Sequence, residues 1–149
     1  MHENGHILCP NWLSGHRKSR FSDGLRGGVR AVVMKKVGMY DERFFEYVGL
    51  CHSLPIFQSE GLPIHIQKRH PECLKYIDRI PDIILNPDYI GVNPNEQGTS
   101  FELIKTFSDN LQIGIKLDSS GQYFYVATLF DISDSKIERR VLSGRIQAF

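Results

Sequence analysis

Two histidines, a lysine and an arginine lie within six residues in the stretch HIQKRH, which starts at His65. On a helix, His65, Lys68 and Arg69 would share one stripe, because residues three and four positions apart are neighbours. Imidazole suits proton transfer near neutral pH, and adjacent cations suit phosphate binding. The stretch therefore predicts His65 and His70 as acid–base groups, with Lys68 and Arg69 as phosphate ligands. The alternative is a helix end whose cations only complement the helix dipole.

A second set of candidates lies in the segment LQIGIKLD, where apolar and polar residues alternate as in an amphipathic strand. Lys116 falls on its polar face. If a three-residue SSG loop pairs Asp118 with Gln122, Lys116 lies beside Phe124 and shares a face with Thr128, roughly 13 Å along the ribbon. A loop one residue longer or shorter would reverse this face. Lys116 and Thr128 are therefore catalytic candidates, and the alternative for Lys116 is an ordinary solvent-facing side chain.

Other charged residues could contribute to the same chemistry. Glu102 is a carboxylate set in an apolar strand segment, SFELIKTF, and is a spare candidate for a catalytic base. Lys105 falls on the opposite face of that strand, because successive side chains alternate. The late segment SDSKIERRVLSG has a helical pattern with Ser133 as a possible cap, and it brings Arg139 and Arg140 together. We predict Lys105, Arg139 and Arg140 as further phosphate ligands.

The elements that must position these residues change along the chain. Residues 1–40 are rich in Gly, Arg, His and Ser and predict a loosely ordered basic arm. Residues 41–149 predict one domain, in which short helical segments precede three strands that follow Gly98. NPDYIG, between the two groups, predicts a turn. The pattern indicates an α+β fold, with short N-terminal helices packed on a small antiparallel β-meander sheet.

The bulk composition excludes several classes of protein. The chain has 149 residues, 41% of them hydrophobic, and a net charge of +1, which suits one domain with a core and no extreme charge. No apolar run approaches the ~18 residues that span a bilayer, so we expect a cytoplasmic protein without membrane contact. No C-x-x-C pair and no cluster with ligand spacing is present, so neither a metal nor a cofactor is expected.

The order of the motifs adds a family resemblance. From about Leu62 to the C-terminus, the succession RHPE, NPDYIG, LQIGIKLD and YFYVATLFDISDSKIERR resembles the phage-associated nuclease domains of the barnase–EndoU–colicin–RelE superfamily. The resemblance implies a small sheet with preceding helices and metal-independent cleavage of RNA. It also implies a helix histidine, a strand lysine and a late threonine as catalytic residues, which here are His65 or His70, Lys116 and Thr128.

Three interpretations follow from the residues and the resemblance together. The first is a ribonuclease in which a ribose 2′-OH attacks the adjacent phosphorus and leaves a 2′,3′-cyclic phosphate. The second is a catalytically inactive module of the same fold that binds RNA or protein. The third is a toxin-like enzyme whose activity is masked by an inhibitor or immunity protein. In each interpretation that involves RNA, the residues predicted to bind it are Lys68, Arg69, Lys105, Arg139 and Arg140.

Overall fold

The computed structural model describes residues 33–149, which form one sheet with helices on both of its faces. Most of the predicted basic arm, residues 1–32, lies outside the described residues. In chain order the elements are β1 (Met34–Tyr40), α1 (Glu42–Val48), β2 (Leu54–Ser59), α2 (Gly61–Arg69), a 3-10 helix (Pro71–Arg79), α3 (Ile80–Leu85), β3 (Tyr89–Gly91), β4 (Ser100–Thr106), β5 (Asn110–Leu117), β6 (Phe124–Asp131), α4 (Asp134–Ser143) and β7 (Ile146–Ala148).

Within the described residues, seven strands form the sheet in the order β1-β2-β6-β5-β4-β3-β7. Strands β2 and β6 are parallel, and the other neighbouring pairs are antiparallel. The mixed helix and strand content is consistent with the α+β class, but the helices do not precede the sheet, since β1 comes before α1 and β2 lies between α1 and α2. Residues 34–40, assigned to the arm from the sequence, form an edge strand. The long-range β2–β6 pairing brings the N-terminal part of the domain beside the last long strand.

The helix boundaries follow the local capping chemistry. Asp41 accepts a hydrogen bond from the Arg43 backbone N–H at the start of α1, and Gly49 ends that helix with φ of 98°. Ser133 caps α4 in the same way. His70, which precedes a proline, has φ of −143° and ends α2. These ends agree with the sequence patterns because capping depends on residues only a few positions apart.

One face of the sheet carries the main core. Tyr40, the last residue of β1, is fully buried there; its ring contacts four other aromatic rings, and its hydroxyl donates to the Leu50 carbonyl oxygen at 2.6 Å. Burial raises the pKa of Tyr40 to about 12. Helix α2 packs on this face through Leu62 and Ile66. Each large side chain buried here contributes about 1.5–3 kcal/mol, so this face supplies most of the stability.

The opposite face carries α4 and a smaller cluster. Ile137 of α4 packs there with Ile104 of β4, Ile132 and Ile146, and Tyr89 contacts the same group. Ile104 reaches this face because it follows the core residue Leu103 on an alternating strand. The second face is therefore only partly covered by apolar packing, and its remaining area is polar.

The β5–β6 hairpin differs from the predicted register. The Asp118 N–H donates to the Tyr123 carbonyl oxygen at 2.9 Å, so the loop has four residues instead of three. Lys116 therefore pairs with Tyr125 and not with Phe124. A one-residue change of register moves every following side chain of a strand to the other face. By itself, this change would have placed Lys116 and Thr128 on opposite faces of the sheet.

A β-bulge in β6 reverses that effect. The register shifts between Gly114 and Ile115, so Ala127 is an extra residue and Gly114 pairs with Thr128. The bulge returns Thr128 to the face of Lys116. The two residues then lie two ladder positions apart, which is about 7 Å along the strands in place of the expected ~13 Å. The sheet thus brings Lys116 and Thr128 closer than the sequence pattern predicts.

The segment NPDYIG contributes a strand, β3, where a turn was expected. Gly91 pairs with Glu102 on one side and with Ile146 on the other. A Cβ atom at Gly91 would lie 2.5 Å from the Arg145 carbonyl oxygen and 2.6 Å from Ile146 Cγ2. Glycine is therefore required for the close approach of β7 to β3.

The Gly91→Ala substitution should lower the free energy of unfolding by about 1–3 kcal/mol, because the added methyl group overlaps a backbone oxygen that cannot rotate away. Urea denaturation of the whole chain measures the change. Gly61→Ala is the matched control, since its Cβ would meet only Ser59 Oγ at an ordinary 3.6 Å. Equal stability of the Gly91 variant and the parent would contradict this account of the β3–β7 contact.

Candidate functional site

The polar part of the α4 face forms a cleft of about 270 Å³. It lies over β4, β5 and β6, at the positions that alternate with the core residues of those strands. The loop between β3 and β4 borders one side, and the C-terminal part of α4 with the residue before β7 borders another. Its lining residues are Asn93, Glu96, Ser100, Phe101, Glu102, Gln112, Gly114, Ile115, Lys116, Ala127, Thr128, Phe130, Arg140 and Arg145.

Glu102 lies at the bottom of the cleft between two arginines. Its side chain is 12% exposed, and its Oε2 accepts a hydrogen bond from Arg145 Nη2 at 2.8 Å. Arg140 Nη1 lies 4.0 Å from Glu102 Oε1 and donates to Gln112 Oε1 at 2.8 Å. Burial, followed by the positive charge of Arg145, lowers the pKa of Arg140. A buried carboxylate is thus neutralised by two guanidinium groups that come from outside its own strand.

Two polar atoms of this network lack hydrogen-bond partners within the described part of the chain. They are Glu102 Oε1 and Arg145 Nε, and both are buried. Buried polar groups are nearly always hydrogen-bonded in native proteins, so each exception needs an explanation. Within residues 33–149, the network therefore contains one buried acceptor and one buried donor without a hydrogen bond.

Lys116 is held at the cleft edge by an acidic residue of the β3–β4 loop. Lys116 Nζ lies 2.6 Å from Glu96 Oε2, and this hydrogen bond raises the pKa of Lys116. The loop is shaped locally, because the Asn95 N–H donates to the Asn93 side chain and the Glu96 N–H donates to the Asn93 carbonyl oxygen. An anionic ligand of Lys116 would have to compete with the Glu96 carboxylate.

A glycine opens the middle of the cleft floor. Gly114 pairs with Glu102 on one side and with Thr128 on the other. Because strands are spaced about 4.8 Å apart, the backbones of Glu102 and Thr128 lie roughly 10 Å apart and flank a gap above Gly114, which has no side chain of its own. A Cβ atom at Gly114 would lie 2.8 Å from Thr128 Oγ1. The threonine hydroxyl therefore leans over the glycine and faces the gap.

The cleft brings together some of the residues predicted from the sequence. Lys116, Thr128 and Arg140 all line it, together with Glu102, the spare candidate for a base. Lys105 lies on the opposite face of β4 and donates to the Asn86 carbonyl oxygen at 2.8 Å. The sheet therefore lies between the cleft and Lys105, which was predicted as a phosphate ligand.

The HIQKRH stretch lies elsewhere. His65 is half-buried and Lys68 and Arg69 are exposed on α2, the helix that packs on the core face. None of them lines the cleft. His70 contacts the cleft indirectly, because its ring lies 5.3 Å, centroid to centroid, from the ring of Phe130. Among the predicted arginines of α4, Arg139 is exposed and lies outside the cleft.

Sequence analysis missed three residues of the network. Gln112 lies on the same polar side of the LQIGIKLD pattern as Lys116, so the alternation already indicated that the two residues share a face. Arg145 follows Gly144, whose φ of 84° ends α4, and nothing in this local pattern points toward Glu102. Glu96 lies in a polar loop, where an acidic residue does not by itself indicate a functional site.

A separate group of potential metal ligands lies under the 3-10 helix. The ligand atoms of Glu72, Cys73 and Asp131 all lie within 4.8 Å of one another. Burial raises the pKa of Cys73 to about 11, with the Asp131 charge as the next cause, and its Sγ donates to Asp131 Oδ1 at 3.6 Å. A protonated thiol that is fully buried is a poor metal ligand. Cys73 and Asp131 form a hydrogen-bonded contact at the edge of the core.

The Glu96→Gln substitution should lower the pKa of Lys116 toward the ordinary lysine value of about 10.4, since it removes the carboxylate that favours the ammonium form. Titration of the Lys116 side chain by NMR measures this change. Glu138→Gln, the same substitution at an exposed position of α4, is the control and should leave the Lys116 titration unchanged. An unaltered Lys116 pKa in the Glu96 variant would disprove the pairing.

Comparison with known proteins identifies one family. Residues 35–139 match the protein-family model described as phage-Barnase-EndoU-ColicinE5/D-RelE like nuclease3. The match begins at residue 35, well before the stretch from Leu62 that carries the resemblance, and it includes β1 and β2. It ends just before Arg140. No curated protein and no solved structure matches the chain.

Proposed function

We propose that the Glu102 cleft binds and cleaves RNA. The chain belongs to the phage-Barnase-EndoU-ColicinE5/D-RelE like nuclease family, which supports this proposal. The supporting observation is the placement of one buried carboxylate, that of Glu102, beside the cations Lys116, Arg140 and Arg145. Cleavage within RNA needs a base for the ribose 2′-OH and cations for the phosphate. The cleft offers both kinds of group on one face of a rigid sheet.

In the proposed reaction, the Glu102 carboxylate accepts the proton of the 2′-OH. The 2′ oxygen then bonds to the adjacent phosphorus while the bond from phosphorus to the 5′ oxygen breaks. The 5′ oxygen leaves as a hydroxyl group after it takes a proton from the Lys116 ammonium, which is diagonally opposite Glu102 on β5. The products are a 2′,3′-cyclic phosphate and a free 5′-OH. Such positioned proton transfers typically contribute 10²–10⁴-fold to a rate.

The cations of the cleft would stabilise the charge that builds on the phosphate oxygens. Arg140 and Arg145 are held by Glu102 and Gln112, so their orientation is fixed before substrate arrives. Fixed donors in a partly buried site act more strongly than donors in water. Thr128, whose hydroxyl faces the gap above Gly114, would hydrogen-bond a phosphate oxygen. RNA cleavage is therefore proposed to need no metal ion.

The cellular setting is also part of the proposal. We expect a phage- or prophage-associated enzyme that acts in the cytoplasm, where its RNA substrate lies. No helix within residues 33–149 is long and apolar enough to cross a membrane. An unrestrained ribonuclease damages the cell that makes it, so an inhibitor or immunity protein is a proposed partner. Expression that succeeds only with such a protein present would support the toxin-like interpretation.

A second candidate function is an inactive RNA- or protein-binding module of the same fold. The observation in its favour is that Lys116 is already paired with Glu96 and Arg145 with Glu102. Among residues 33–149, no histidine lines the cleft either. Such a module would express freely and would shift RNA in a gel without shortening it. Incubation of the purified chain with mixed RNA, followed by analysis of product ends, separates the two functions.

The Glu102→Gln substitution should lower the rate of RNA cleavage by about 10²-fold or more, because the amide cannot accept the 2′-OH proton. Single-turnover cleavage of an oligoribonucleotide measures the rate, and thermal unfolding checks that the variant is folded. Glu138→Gln on α4 makes the same change at an exposed position outside the cleft and should cleave at the parental rate.

His65→Ala provides the competing test, because His65 and His70 were the acid–base residues predicted from the sequence. A folded His65→Ala variant that loses about 10²-fold in rate, beside a fully active Glu102→Gln variant, would place the chemistry on α2. The cleft assignment would then be wrong, although the ribonuclease function would stand.

EDTA should leave cleavage unchanged, since the phosphate charge is met by ammonium and guanidinium groups. The experiment compares the cleavage rate of the parent chain in EDTA with the rate after magnesium is added back. Cyclic phosphate ends should form in both conditions. Cleavage that stops in EDTA and returns with magnesium would overturn the proposed mechanism.

A further inference from the structure

We propose that Phe130 and His70 form a stacking platform for one unpaired base beside the cleft, and that Lys68 and Arg69 bind the phosphates that follow it. The ligand class is single-stranded RNA that extends beyond the scissile phosphate. This inference rests on the proposed function, because it identifies which form of RNA the Glu102 cleft accepts. It also gives the HIQKRH stretch a role that does not require proton transfer.

Phe130 is an aromatic residue of the cleft that a base could reach. Among residues 33–149, two aromatic residues line the cleft, Phe101 and Phe130. Phe101 has 0% of its surface exposed, whereas Phe130 is only partly buried. On β6, Phe130 is the next residue after Thr128 on the cleft face. A base attached to a phosphate held near Thr128 would therefore meet the Phe130 ring.

His70 lies against that ring. Strand β2 pairs with β6 only at Phe124 and Tyr125, so the later part of β6 is a sheet edge that α2 covers. Helix α2 ends at Arg69, and Pro71 holds His70 outside the helical conformation. The His70 and Phe130 rings lie 5.3 Å apart with an angle of 31° between their planes. The platform thus depends on the geometry of a helix end.

The cations of α2 differ from those of the cleft. Lys116 and Arg145 each have a carboxylate partner. Lys68 and Arg69 are exposed and make no ion pair within residues 33–149. A nucleic-acid strand that leaves the cleft over Phe130 and His70 would next reach these two cations. Unpaired exposed cations that follow an aromatic platform are typical of sites for single-stranded nucleic acid.

The experiment measures binding separately from cleavage. The probe is a fluorescent 12-nucleotide single strand carrying 2′-O-methyl groups throughout, which cannot undergo 2′-OH attack. Fluorescence anisotropy gives its Kd for the parent chain. The same strand annealed to its complement tests the need for an unpaired base, and the parent should bind the duplex more weakly.

Phe130→Leu should weaken binding of the single strand by roughly 5- to 150-fold, the range for loss of one base–aromatic stack. Leucine keeps an apolar side chain against His70 but has no aromatic face. Phe107→Leu is the matched control, because Phe107 is a half-buried phenylalanine outside the cleft, and it should bind as the parent does. Parental binding by a folded Phe130→Leu variant, or absence of binding by the parent, would overturn the proposal.

His70 is tested with two substitutions. His70→Ala should weaken binding, and His70→Phe should restore it, because an aromatic ring supports Phe130 without a titratable nitrogen. Equal loss of binding in both variants would show that the imidazole itself is needed and would refute the stacking role. The Lys68→Gln/Arg69→Gln double variant should reduce the salt slope of log Kd by about 1.4, the value for two phosphate contacts on a single strand.

Cleavage of unmodified RNA keeps this inference distinct from the proposed function. A parent that binds the probe through Phe130 but leaves RNA intact retains the platform and refutes the ribonuclease. A parent that cleaves RNA, with a Phe130→Leu variant that binds and cleaves as well as the parent, retains the ribonuclease and refutes the platform.

Discussion

The pairing of the Glu102 carboxylate organises the functional side of this sheet. A charged carboxylate on a central strand is stable only with partners, and removing one partner of a buried ion pair typically costs about 3–5 kcal/mol. Arg145 and Arg140 are those partners, and both belong to the C-terminal part of the chain. The position of α4 and the start of β7 are therefore tied to β4 by charge as well as by the packing of Ile137 and Ile146.

Side chains along the central strands face the core and the cleft alternately, so the stabilising residues and the candidate site residues lie on opposite faces of the sheet. On β5, Ile113 and Ile115 are fully buried in the core, whereas Gly114 and Lys116 face the cleft. The same backbone thus holds the candidate site rigid from behind, which is what precise positioning of catalytic groups needs. The Ala127 bulge extends this division to β6, where it keeps the cleft-facing residues on the correct side despite the shifted hairpin register.

The family match and the candidate site overlap only in part. The matched segment contains Glu102, Lys116 and Thr128, but both arginines that pair with Glu102 follow it. A fold shared with other proteins does not by itself determine which side chains perform the chemistry. Here Arg140 and Arg145 lie in a segment that the family model does not cover, so their part in the proposed site must be judged from their own geometry.

The sequence by itself determined the features that depend on neighbouring residues. Capping fixed the ends of α1 and α4, a pre-proline position ended α2, and alternation predicted which side chains of β5 share a face. Lys116, Thr128, Arg140 and Glu102 were candidates predicted from the sequence, but the face that Lys116 and Thr128 share results from a loop length and a bulge that the sequence pattern did not predict. Tertiary structure decided the rest: the β2–β6 pairing, the four-residue hairpin loop with its compensating bulge, the placement of HIQKRH on α2 outside the cleft, and the return of Arg145 to Glu102. These features depend on hydrogen bonds and ion pairs between residues far apart in the chain, and no local pattern specifies which distant partner completes them.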